Sequence, residues 1–325
     1  MAMIADNAKA VSHPMDSILV RRLKFGFDQV QTGDLVWSRT HPNFSIFINA
    51  FSVHVPHFER FLVAVLREVR GDLADRQLAK DVQAIIGQEA YHASNFEGWT
   101  QRMNEHYKGL PAIDAVAKNY FLDAFKTGDR KFKVGYVAGY ETFTFLAGMI
   151  ILDGYEKYMA DADPTIRALL VWHQVEEVEH GSVAFDVYKA TYGEDEWYRR
   201  KMVLIAFMHI FWETFKSYAE MIRVEGYYRK PWQAIKAWAF FLKFGLDLGY
   251  AALPVFRRNY HPRMHPKCNE EQNKYALAWR AWTANGADPH HLSNETVAQM
   301  LATFGQSTDA ARPTTTSAYS SARSK

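Results

Sequence analysis

The stretch Val171-Trp172-His173-Gln174-Val175-Glu176-Glu177-Val178-Glu179-His180, near the middle of the chain, decides how the rest is read. Residues three and four apart share one face of an α-helix, so His173, Glu177 and His180 line up as two imidazoles around one carboxylate. That is the outline of a metal-binding stripe. Gly181 and Ala184 follow one and two turns beyond Glu177, and their small side chains are read as leaving room for something other than protein. The stripe reads as the second half of a site whose first half is expected upstream.

Asp163-Pro164 opens this helix with an aspartate cap and a proline at the first helical position, and the helix is expected to reach Tyr192-Gly193. Before it, a long helix over 130–159 turns Glu141 inward among Val134, Val137, Phe145, Gly148 and Leu152 at helical spacing. A helix over 73–107 carries Glu89 and His92, three apart, with Val82, Ile85, Ile86, Ala93 and Phe96 on or near the same face. The first helix, over 43–70, follows the spacing of Phe58, Phe61, Leu62, Val65, Leu66 and Val69 and stops at Gly71-Asp72. Glu59 lies on or beside its apolar face, a costly place for a carboxylate that is neither paired nor ligated.

The chain thus reads Glu, then Glu-x-x-His, then Glu, then Glu-x-x-His over four helices. That is the inward-facing ligand set of a di-metal carboxylate site in a four-helix bundle: Glu59, Glu89 with His92, Glu141, and Glu177 with His180. Two cations a few ångströms apart need several anionic oxygens to offset their repulsion, and imidazoles complete the set while leaving positions open. One Glu-x-x-His is a weak signal in a chain with 13 histidines; the order and the helical placement carry the reading. His173, four before Glu177 and seven before His180, is expected on the same metal as His180, making three histidines and four glutamates. Glu176 and Glu179 point to the flanks of the stripe, where solvated or supporting roles are expected. His209 and Glu213, one turn apart, are read as supporting residues at most. His54 and His57 are read as structural, with a place in the substrate channel as the alternative for His57.

At 325 residues and 48% hydrophobic, the chain can bury a large core. A formal net charge of +2 with scattered Lys and Arg excludes the basic stripe of a nucleic-acid binder. The single cysteine, Cys268, excludes an internal disulfide framework and fits a reducing compartment; with no basic region and apolar run at the start, the expected location is cytoplasmic. Residues 1–42 carry turn chemistry at Ser12-His13-Pro14, Thr32-Gly33-Asp34 and Thr40-His41-Pro42 and are read as an arm wrapped over the core. Residues 43–285 form the bundle with its extra helices, and 286–325 a C-terminal extension, disordered from Gln306 onward. The helices expected over 196–229 and 231–256 are rich in Phe, Trp and Met. Lys236, Lys243 and Asp247 interrupt the second, which argues against a membrane span; buried cover for the bundle is the first reading, and a peripheral surface meeting lipid or a greasy substrate the second.

The runs Ile86-Gly87-Gln88-Glu89-Ala90-Tyr91-His92, Glu176-Glu177-Val178-Glu179-His180 with Ala184-Phe185-Asp186-Val187-Tyr188, and Tyr260-His261-Pro262 resemble the bacterial family described as predicted metal-dependent hydrolases, over roughly residues 18–285. That resemblance implies an all-α, ferritin-like four-helix bundle with additional C-terminal helices. The spacing His-x-x-x-Glu-x-x-His is similar to that of the aryl-amine N-oxygenases. Carried over by position, that likeness implies that Glu89 and Glu177 bridge two metals, that Glu59 and His92 complete one site, and that Glu141, His173 and His180 complete the other. The function expected first is a non-haem oxygenase or oxidase with two irons, or manganese and iron. It would use dioxygen and an electron donor on a small apolar or aromatic molecule. A di-metal hydrolase is the alternative, and a non-catalytic metal binder the third. A homodimer is compatible with all three.

Overall fold

The chain folds into helices because its apolar residues recur at helical spacing and its helix starts carry caps. The computed structural model describes residues 13–30, 35–193, 195–268 and 272–310, and among them there is no strand. The helices are α1 (Pro42–Phe51), α2 (Val55–Val69), α3 (Arg76–Asn104), α4 (Leu110–Thr127), α5 (Arg130–Asp153), the single turn α6 (Tyr155–Tyr158), α7 (Pro164–Glu179) and α8 (Val183–Tyr192). They continue as α9 (Glu196–Val224), α10 (Pro231–Ala251), α11 (Lys274–Ala284) and α12 (Asn294–Ala310). Asp75, Asp129, Asp163 and Asp195 each cap a helix by accepting from backbone N–H groups of the first turn. This is an all-α helical bundle, as expected.

Several boundaries differ from the sequence reading, each for a local reason. The helix expected over 43–70 is two: Pro56 has no N–H to continue a helix, so α2 starts afresh at Val55. The helix expected to reach Met159 stops at Asp153 before Gly154. The helix carrying the opening stripe breaks after Glu179, and His180 is its C-terminal cap rather than an interior residue. α12 lies in the stretch read as an extension and continues past Gln306. The tail over 311–325 and the turn Thr32-Gly33-Asp34 lie outside the described residues.

Close helix contacts set the frame. α5 packs on α7 and α9, and α2 packs on α3. A Cβ on Gly148 of α5 would stand 3.2 Å from the Gln174 carbonyl and 3.3 Å from Cβ of Glu177. Gly181 is crowded as well: its Cβ would lie 2.4 Å from the Phe145 ring. The small residues around the stripe therefore serve close packing; at Gly181 the room expected for a ligand is filled by Phe145. α5 is also the one described helix long and apolar enough to cross a membrane, and 89% of that stretch is buried inside the protein. It is the core helix.

The N-terminal arm is strapped across α3 by polar side chains. Asn95 accepts from the Phe25 N–H and donates to the Leu23 carbonyl. Gln88 donates to the Leu19 carbonyl, and Arg102 to that of Val30. Each satisfies a backbone group that a helical partner cannot reach.

Candidate metal centre

Four helices deliver one buried cluster. Glu59 comes from α2, Glu89 and His92 from α3, Glu141 from α5, His173 and Glu177 from α7, and His180 from its cap; none of these residues is more than 3% exposed. Their donor atoms fall into two groups, each with its atoms within 4.8 Å of one another: Glu59, His92, His173 and Glu177, and Glu89, Glu141, Glu177 and His180.

Glu177 belongs to both. Its Oε1 lies 3.0 Å from Nε2 of His173 and 3.5 Å from Nδ1 of His92, while Oε2 lies 3.4 Å from Nε2 of His180. Glu89 spans the groups less evenly, with Oε1 3.0 Å from His180 and Oε2 3.7 Å from His92. His173 departs from expectation. It stands with Glu59, at 3.3 Å, and His92, not with His180. Seven helical residues span about 10 Å, so the two imidazoles straddle Glu177 and face opposite ends of the cluster.

Each histidine has one nitrogen aimed into the cluster and one held from behind. Nε2 of His92 faces Oε2 of Glu176 at 3.0 Å, Nδ1 of His180 faces Oε1 of Gln88 at 2.9 Å, and Nδ1 of His173 meets the Gln174 amide at 2.9 Å. Outer partners of this kind fix ring orientation in metal sites. Behind them, Arg21 of the arm forks onto Glu179 at 2.8 and 2.9 Å and reaches Glu176 at 3.0 Å. Arg280 of α11 binds Glu179 at 2.9 Å, and Gln88 donates to it at 3.2 Å. Glu176 and Glu179 are thus buried and paired rather than solvated. Gln88 was not singled out in the sequence, although its place four before His92 on the same helix face is a signal that could have found it; Arg21 and Arg280 come from distant segments and carry no local signal.

His209 and Glu213 belong to neither group. Nδ1 of His209 accepts from the Tyr140 hydroxyl at 2.6 Å and its ring stacks on Tyr120, while Glu213 pairs with Lys216. His54 is buried. His57 pairs with Asp114 at 2.7 Å and lines a cleft of about 490 Å³ between α2, α3 and α4, whose walls include none of the seven cluster residues.

Charge tests whether the cluster suits metal ions. Glu59 Oε2, both oxygens of Glu89, His92 Nδ1, Glu141 Oε2, Glu177 Oε2 and His180 Nε2 are buried and make no hydrogen bond, an arrangement a protein interior normally avoids. Burial pushes the carboxyls of Glu59 and Glu141 up to about 7 and about 8. Burial acts the same way on Glu177, but His173 and His180 outweigh it and hold that carboxyl well below its usual range. Burial opposes charge on His92 and His180, yet the facing carboxylates raise both well above the ordinary imidazole value. Protons occupy the cluster where cations would neutralise it. Four carboxylates offset two divalent ions, and oxygen and imidazole donors without thiolate suit first-row metals. The residues fit a di-metal centre.

The family model for predicted metal-dependent hydrolases matches residues 19–266. The chain belongs to this family. No curated protein and no solved structure matches the chain. The match spans every residue of the cluster and Arg21 behind it, while Arg280 lies beyond its end, so this member of the predicted metal-dependent hydrolases closes its centre with a residue outside the matched region.

Proposed function

We propose that this chain is a di-metal enzyme of ferritin-like architecture that hydrolyses a small organic substrate. The observation that carries the di-metal reading is the convergence of four buried carboxylates and three imidazoles, every one of them except His173 keeping at least one buried polar atom without a hydrogen bond. Glu59, His92 and His173 would hold one ion and Glu89, Glu141 and His180 the other, with Glu177, which belongs to both groups, available to either. Two divalent ions bound there would supply a water of lowered pKa and polarise an acyl or phosphoryl oxygen. The chain's own residues keep that chemistry in place: Glu176 and Gln88 orient His92 and His180, and Thr144 donates to Oε1 of Glu141 at 3.2 Å. The description of the family favours hydrolysis.

A second reading, oxidation of an apolar substrate by dioxygen at an iron or manganese–iron centre, has its own support. The ligand set is rich in carboxylate, sealed from water, and displayed on four helices, which suits metals that change oxidation state.

One preparation distinguishes the two. The protein is loaded separately with zinc, manganese and iron, metal is counted by mass spectrometry, and aryl esters and phosphoesters are assayed beside oxygen consumption with a reductant. Two ions per chain with oxygen-independent hydrolysis support the first reading. Oxygen uptake confined to the iron or manganese–iron form, without hydrolysis, transfers the assignment to the second. Failure to bind metal overturns both.

A further inference from the structure

α9 and α10 form an antiparallel hairpin: Arg199 donates to the Val255 carbonyl at one end, and Tyr218 to that of Ala237 towards the other. One face of the hairpin is covered by the bundle. The other is apolar and bare. On α9, Trp197, Leu204, Met208 and Trp212 recur at spacings of seven, four and four, and Trp197 is 79% exposed. On α10, Trp232, Ile235, Leu242, Leu246 and Tyr250 repeat the pattern, with Trp232 at 77% and Tyr250 at 78%. On the bundle side of these rows α9 and α10 enclose a small apolar crevice walled by Phe207, Phe211, Phe241 and Phe244 and reaching Phe47 of α1, and none of the exposed row residues lines it. Soluble proteins seldom leave so continuous a stripe to water unless something covers it.

Charge says what covers it. Residues 196–258 hold eleven Lys and Arg against five Asp and Glu, a formal +6 in a chain whose total is +2. Glu196, Glu213, Glu220 and Asp247 are each tied to a neighbouring cation. Arg229, Lys230, Lys236, Arg257 and Arg258 are exposed and make no ion pair with a described residue. A second copy docking through this face would set the patch against itself, and the excess positive charge would repel. An anionic bilayer complements it. Tryptophan and tyrosine sit well at the lipid–water boundary, aliphatic side chains enter the acyl region, and Lys and Arg meet lipid phosphates.

We infer that the α9–α10 face seats this protein peripherally on an anionic lipid bilayer. The test is cosedimentation of the full chain with vesicles of phosphatidylcholine alone and of phosphatidylcholine with phosphatidylglycerol, at low and high salt. The expected result is binding to the anionic vesicles that weakens as salt rises. Met208→Glu with Leu246→Glu lowers partitioning at least about tenfold, about 1.4 kcal/mol. Lys236→Glu with Arg257→Glu removes the preference for anionic vesicles. All four positions are outside the core, so circular dichroism and melting should match the parent; if the apolar pair misfolds, the charge pair decides. Full chain left in the supernatant with anionic vesicles at low salt overturns the inference, as does equal binding by the charge pair. A dimer abolished by Met208→Glu, without vesicle binding, assigns the face to a second copy and also overturns it.

Discussion

Nε2 of His92 lies 3.0 Å from Oε2 of Glu176, and neither side chain meets solvent. The pair turns Nδ1 of His92 toward Glu177 and leaves it without a hydrogen bond. Glu176→Ala is therefore expected to weaken metal binding roughly 10- to 100-fold while both ions still bind at saturation. Arg21 keeps Glu179 in this variant, so its charge stays compensated. Chelator competition measures the effect, and unchanged affinity would show that Glu176 plays no part in holding the ring.

The division of the cluster into two groups gives a stoichiometric prediction. His173→Ala is expected to impair the ion held with Glu59 and His92, and Glu141→Ala the ion held with Glu89 and His180, so each preparation should approach one metal per chain. Glu177→Ala should lose both. Metal analysis by mass spectrometry on desalted protein reads this directly. If His173→Ala and His180→Ala empty the same site, as distinguished by a cobalt spectrum, the division is wrong.

Metal uptake should release protons. Carboxyls at about 7 and about 8 on Glu59 and Glu141, with His92 and His180 raised, must deprotonate before they ligate. Apparent affinity should therefore climb as pH rises through that range. Calorimetry in two buffers of different ionisation enthalpy counts the protons; a pH-independent affinity would contradict the cluster's proton load.

Away from the centre, His209 supplies an acid-sensitive element. Burial, with Lys216 nearby, depresses it from 6.5 to about 4, and burial depresses His54 in the same direction. The unfolded chain takes up these protons first, so this stability is present above pH 6.5 and is lost as pH falls toward 4, by roughly 1–3 kcal/mol for His209. In metal-free protein the raised carboxyls of Glu59 and Glu141 pull stability the other way as pH falls, so the test is differential. Between neutral pH and pH 5 the urea-unfolding free energy of the parent should fall relative to that of His209→Gln, on top of a pH-independent penalty in the variant for the Tyr140 contact.

Gly181→Ala is expected to cost about 1–3 kcal/mol through overpacking against Phe145, seen as a lower melting temperature. Adding Phe145→Leu should recover part of it. Full recovery of stability without the second change would mean that the ring has room to move.

The ligand stripes were legible in the sequence because helical periodicity and chemistry coincide: a carboxylate such as Glu59 or Glu141 amid a buried apolar face needs a partner. Which histidine joins which group was not, because His173 and His180 share a helix face but stand two turns apart, and only the placement of α2 and α5 assigns each its neighbours. The break after Glu179 was hidden because no proline marks it; the close fit of Gly181 and Phe145 is a tertiary effect. Arg21 and Arg280 were invisible for a similar reason, since their partner Glu179 is about 158 and 101 residues away.

The arm that precedes the bundle in sequence can be seated only after most of the chain exists. Its anchors include Gln88, Asn95 and Arg102 on α3, but Arg21 also needs Glu176 and Glu179 on α7, and Glu179 shares its charge with Arg280 near the end of the described chain. During synthesis, which proceeds from the N-terminus, the arm emerges before α3, α7 and α11 and must wait for each of them. A strap made before its partners can close only after them, so the order of synthesis and the order of closure run in opposite directions.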